Sequence, residues 1–148
     1  MGNQSLSIAI ASDHAGYQYK EKIKEFFEKE GYEVRDFGTD SEEMMDYPLT
    51  IRPAAEAVAN GTCDVGVIFG GSGNGEAIVA NKVKGIRCAV CWNVESARFA
   101  KEHNKANIIS MGQRMISIEN TIDIVKTWLS AKFQGGRHLR RISLIEPD

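Results

Sequence analysis

The chain has 148 residues, 43% of them apolar and 26% charged, which suits one domain with a single core over residues 1–148. A formal net charge of -2 gives no overall field to gather nucleic acid or an anionic membrane, and no apolar stretch approaches the roughly 18 residues of a spanning helix. Three cysteines do not make a disulfide framework, and MGNQSLSIAI lacks the charged and long apolar regions of a secretory leader, so a cytoplasmic location is expected.

In chain order, LSIAIAS (6–12) is a short β-type run. YKEKIKEFFEKEG (19–31) sets Tyr19, Ile23, Phe26 and Phe27 near helical spacing, with Gly31 as a stop. YEVRDFG (32–38) predicts a second strand, and TDSEEMMDYP (39–48) a polar loop. AAEAVANG (54–61) predicts a helix with Pro53 in its first turn. VGVIFG (65–70) is continuously apolar, as a strand buried on both faces would be. A helix over 76–83, a strand over 86–92, a helix over 94–104, a strand over 106–112 and an amphipathic helix over 117–133 follow. Cys88 and Cys91 spell C-x-x-C within a strand, where positions three apart face opposite ways, so they are expected in the core rather than in a redox pair.

Strands alternating with helices imply a single doubly wound, Rossmann-like α/β domain, its five-stranded parallel sheet covered by helices on both faces. Ligands of such sheets bind at the carboxyl ends of the strands. That rule singles out Ser12 to Gly16, Gly38 to Tyr47, Gly70 to Glu76 and Met111 to Arg114.

The segment GGSGNGE carries the strongest local signal. Gly70, Gly71, Gly73 and Gly75 leave a nearly bare backbone at a strand-to-helix turn, where successive N–H groups can hold an anion. A dinucleotide G-x-G-x-x-G from Gly71 needs glycine at 76, and a P-loop from Gly70 needs lysine there. Glu76 breaks both motifs, and its carboxylate would repel a pyrophosphate. The loop therefore suits a smaller oxyanion, one that forms during reaction, with Glu76 as a general base beside it. The plainer alternative is a tight turn with a carboxylate that complements the helix dipole.

Elsewhere, Asp13 and His14 end the first strand, where they can move protons or bind phosphate; helix capping by Asp13 is the alternative. His103 closes a helix in EHN, a position that also favours a cation for dipole reasons alone. In GRHLRR, Arg137 and Arg141 share a face if the segment is helical and can clamp a phosphate; a solvated basic tail is the alternative. His14, His103 and His138 have no metal-ligand spacing.

The set SDHAG, DYP, GGSGNGEAIVANK, EHN, GQR and GGRHLRR, in that order over nearly the whole chain, resembles the ribose-5-phosphate isomerase B family, which includes galactose-6-phosphate isomerase subunits. The resemblance implies an aldose–ketose isomerase that needs no metal or other cofactor and works through a cis-enediolate. It implies a homodimer, or a tetramer built from it, with active sites shared between subunits. The tail 134–148 would contribute to the dimer and to the phosphate site. Asp13 and His103 would open the sugar ring. Ser72 and the loop of Gly71, Gly73, Asn74 and Gly75 would stabilise the enediolate. His14, Arg114, Arg137 and Arg141 would hold the phosphate, and Tyr47 and Asn104 would touch the sugar. Many members carry a cysteine base where this chain has Gly70; the chain resembles the subgroup with a glutamate base, here Glu76.

The expected substrate is ribose 5-phosphate, converted to ribulose 5-phosphate. Galactose 6-phosphate, allose 6-phosphate and a tetrose phosphate are the alternatives of the same chemistry. A module that binds a phosphorylated ligand without turnover is the non-enzyme alternative, and the basic tail alone is a weak case for nucleic acid. Neither nucleic acid nor a membrane is an expected partner.

Overall fold

The computed structural model describes residues 6–147. Residues 1–5 and 148 of the expected domain, including half of MGNQSLSIAI, lie outside the described residues. Five parallel strands form one sheet: β1 (Ser7–Ser12), β2 (Glu33–Asp36), β3 (Val65–Gly70), β4 (Cys88–Val90) and β5 (Ile108–Gly112). They lie in the order β2-β1-β3-β5-β4. Six helices accompany them: α1 (Tyr17–Lys29), α2 (Pro48–Ala59), α3 (Asn74–Asn81), α4 (Val94–Glu102), α5 (Ile118–Ser130) and α6 (Arg137–Ser143).

Alternation along the strands divides the core in two, because successive side chains point to opposite faces. Ile8, Ile10, Val67, Phe69, Ile109 and Met111 pack with Ile23 and Phe27 of α1, Ala97 and Ala100 of α4, and Val125 and Trp128 of α5. Ala9, Ala11, Ile68 and Ile108 pack with α2 and α3 on the other face. The crossovers that step from β1 outward to β2, and from β4 inward to β5, use the first face. Those running the opposite way, β2 to β3 and β3 to β4, use the second. All four therefore share one hand, as twisted parallel strands require. The doubly wound expectation holds.

Several boundaries follow from caps. Asn93 and Ser96 exchange hydrogen bonds as a capping box at the start of α4, and Ser117 accepts from Asn120 N–H at the start of α5. Lys20 of α1 is wholly buried, its Nζ 2.7 Å from Asp36 of β2, which ties helix to edge strand.

The expected placement of Pro53 is corrected. Helix α2 begins at Pro48, so Pro53 lies inside it. Pro48 occupies the first-turn position that proline suits, and Thr50 Oγ1 anchors that turn to the Ser12 carbonyl at 2.8 Å. The ring of Pro53 leaves the Leu49 carbonyl without its helical donor, which is tolerated where both residues face solvent. Strand β4 is also shorter than expected. Asn81 pairs with Cys88 through both amide atoms, donating to its O and accepting from its N, and so seals one end of this edge. Cys88 and Cys91 face opposite sides of the sheet as free thiols; Cys91 is buried and Cys88 only partly so.

Candidate active site

Strands β1 and β3 are neighbours, but their crossovers leave in opposite directions. This switch point opens a crevice at the carboxyl edge of the sheet. A cavity of about 430 Å³ lies there, walled by Asp13 and His14 after β1, and by Gly71, Ser72, Gly75 and Glu76 after β3. Tyr47 and Arg114 complete its rim.

The loop after β3 is held by its surroundings. Gly73 takes φ 86°, a left-handed conformation that glycine adopts without strain, and Ser110 Oγ donates to its carbonyl at 2.7 Å. Asn74 N–H donates to Ser72 Oγ at 3.2 Å, and Ala77 N–H to the Gly73 carbonyl. The N–H groups of Ser72, Gly73 and Gly75 have no protein acceptor among the described residues. Those of Gly73 and Gly75 are free donors expected at a helix start, and that of Ser72 lies in the turn before it.

Glu76 stands in the first turn of α3, yet it is only 4% exposed. Its carboxylate turns back over β3, where a β-carbon on Gly70 would collide with it. Burial pushes its pKa up from 4.5 to about 7, against the pull of its own backbone N–H. The Asp13 carboxylate adds to the rise, both as a charge and as a hydrogen-bond partner. Asp13 is itself 8% exposed and accepts from Gly16 N–H at 3.0 Å, so it both shapes the turn into α1 and faces the cavity.

His14 Nδ1 accepts from Met45 N–H at 3.2 Å, which leaves Nε2 free and pins the 39–47 loop to the site. Tyr47 lies over Gly75, and the Arg114 guanidinium over Gly71; glycine at both places lets these side chains approach the backbone.

The other expected residues lie elsewhere in this chain. Gly73 is buried beneath the loop, and Asn74 lines a separate depression beside Ile78 and Val90. His103 caps α4 and stacks on Phe99 and His138. Asn104 borders a different hollow with Arg87 and Glu146. Arg137 and Arg141 project from α6 into solvent, one helical turn apart. None of these borders the Glu76 cavity.

The sequence reading missed Met115 and Ala15, which also wall the cavity, and Ser110, which holds the glycine loop. Ser110 sits mid-strand with no motif to mark it. Among the described residues no three His, Cys, Asp or Glu side chains gather as a metal site. No described helix is long and apolar enough to cross a membrane.

A buried carboxylate beside unpaired backbone donors, at the switch point of a doubly wound sheet, is an arrangement for moving a proton next to an oxyanion. The comparisons with known proteins place the chain in the same class, the isomerases. It belongs to the ribose/galactose isomerase family, whose model matches residues 8–145. The structure of Clostridium thermocellum ribose-5-phosphate isomerase B is 51% identical and superposes with a TM-score of 0.94 over 95% of each chain. Escherichia coli ribose-5-phosphate isomerase B is 41% identical over 93% of both chains. The Mycoplasma genitalium ribose-5-phosphate isomerase B, solved with bound ribulose 5-phosphate, is 36% identical with a TM-score of 0.91, covering 95% of this chain and 94% of that one.

Proposed function

We propose that the protein interconverts ribose 5-phosphate and ribulose 5-phosphate through a cis-enediolate, with Glu76 as the base. The observation that carries this reading is the Glu76 carboxylate itself, buried against Asp13 with its pKa raised to about 7, at the exit of a loop with unpaired N–H groups. A base of that pKa can both take and return a proton near neutrality. The relatives named ribose-5-phosphate isomerase B support the substrate.

In the open-chain aldose, Glu76 takes the C2 proton while the C1 carbonyl oxygen becomes an enediolate oxygen. The N–H groups of Ser72 and Gly75, with the Ser72 hydroxyl, stabilise that charge. Glu76 then returns the proton to C1, the O2 proton moves to O1, and the C2 carbonyl of the ketose forms. Asp13 and His103 open the furanose beforehand by exchanging protons with the ring oxygen and the anomeric hydroxyl. His14 and Arg114 hold the phosphate, Arg137 and Arg141 complete the clamp, and Tyr47 and Asn104 meet the sugar hydroxyls.

His103, Asn104, Arg137 and Arg141 do not line the Glu76 cavity of their own chain, which supports a homodimer in which each pocket borrows His103, Asn104 and the tail from the partner. Exposed Ile78, Trp92, Phe99 and Leu139 suit such an interface. Assays with aldose and ketose phosphates of four to six carbons, run in D2O, test the reading. Isomerisation should be fastest with the pentose pair, with deuterium entering at C1 or C2. A faster hexose pair would reassign the substrate, and binding without turnover would leave a ligand-binding module.

A further inference from the structure

His138 is the histidine that the mechanism above does not use. It is 7% exposed, and its Nε2 has no hydrogen-bond partner among the described residues. Its ring lies on that of His103, with centroids 4.4 Å apart and planes inclined by 10°. Phe99 covers the other face of His103 at 4.7 Å and 21°. The Arg98 guanidinium lies over the outer face of Phe99 at 4.5 Å. Four flat groups thus form one column, with His103 enclosed between two rings.

The column is clamped from both ends. Arg98 Nη1 donates to Glu102 Oε1 at 3.0 Å, and the same carboxylate oxygen accepts from Gln134 Nε2 at 3.2 Å. Gln134 N–H also donates to the Glu102 carbonyl at 3.0 Å. These bonds fasten the segment before α6 to the end of α4, which sets His138 over His103. Without His138 the His103 ring would be packed on the Phe99 side alone, and general acid–base transfer tolerates little misplacement.

We propose that His138 is a positioning residue for His103: its ring closes the second side of the stack and fixes the plane from which His103 reaches the sugar ring oxygen. The proposal rests on the reading of His103 as the ring-opening group. The charged and titratable groups around the pair are Arg98 and Glu102 on α4, and Arg137 and Arg141 on α6. Desolvation, then Arg137, His103 and Arg141, lower the His138 pKa.

The test uses the full chain and the variants His138→Ala, His138→Phe and His103→Ala, with two readouts. One is net conversion between cyclic aldose phosphate and acyclic ketose phosphate. The other is exchange of solvent deuterium into the ketose, which needs proton transfer at carbon but no ring opening. His138→Ala should lower net conversion by about 10- to 100-fold while exchange stays within about twofold of the wild type. His138→Phe, which keeps the flat ring, should restore net conversion to within about threefold. His103→Ala should show the same split, at least as large. An equal loss of both readouts in His138→Ala, unchanged conversion in that variant, or no rescue by phenylalanine overturns the proposal. A His103→Ala variant without the split overturns the ring-opening assignment, and the proposal with it.

Discussion

The Glu76 carboxylate occupies the space into which any side chain at Gly70 would project. The two positions are six residues apart, yet the turn through Gly73 folds the first turn of α3 back onto the end of β3. Glycine at 70 is therefore a condition for a buried glutamate base. A side chain there and the Glu76 carboxylate exclude one another.

Gly70→Ala should leave the fold intact and remove most activity. Its methyl group evicts the carboxylate toward solvent, so kcat should fall by about 10²- to 10⁴-fold, the usual contribution of a positioned general base. Circular dichroism and steady-state kinetics on the same sample check this. Full activity in that variant would falsify the assignment of Glu76 as base. Gly70→Cys should be equally impaired, unless its thiol takes over the proton transfer.

Activity and stability should respond to pH in opposite senses. As the proposed base, Glu76 works ionised, so kcat/KM should rise as pH passes through about 7. A carboxyl whose folded pKa is raised binds its proton more tightly in the folded state. Its contribution to stability is complete below about 4.5 and is lost as pH rises through about 7. The cost above that range is at most about 3 kcal/mol, less whatever water at the pocket mouth screens. Glu76→Gln should therefore unfold at a higher temperature than the wild type at pH 8 and nearly with it at pH 5, while losing turnover at both. Thermal melts at the two pH values read this directly.

Thiol reagents should leave activity unchanged. Cys63 and Cys91 are buried, and burial pushes the Cys91 thiol up to about 12; burial likewise raises Cys88, with Cys91 and Glu76 adding to it. Excess iodoacetamide at pH 7.5 followed by assay checks the expectation. Rapid inactivation would point to a cysteine in the chemistry.

The proposed sharing of sites between subunits can be tested by complementation. Glu76→Gln and His103→Ala homodimers should each be nearly inactive. After subunit exchange, the mixed dimer carries one site with native Glu76 from one chain and native His103 from the other, so activity should return toward half the wild-type value per mixed dimer. No recovery after verified exchange would place both residues in a site made by one chain.

Much of this was readable along the chain because it depends on near neighbours. Alternating and helical periods marked five strands, and four glycines before Glu76 announced bare backbone donors with a carboxylate where nucleotide loops need glycine or lysine. Pro53 misled because proline at a helix start is the commoner arrangement, whereas the tie from Thr50 to Ser12 that starts α2 earlier spans 38 residues.

The sequence by itself determined the residue chemistry: which groups can carry charge, where backbone can lie bare, and which faces are apolar. Only the tertiary structure decided that β1 lies beside β3, which brings Asp13 to Glu76, and that burial outweighs the helix N-terminus in setting the Glu76 pKa. It alone set His138 on His103 and kept both apart from the cavity they are proposed to serve. The reason is physical: hydrophobic period and turn chemistry act over a few residues, while desolvation and stacking depend on which distant segments the fold brings together.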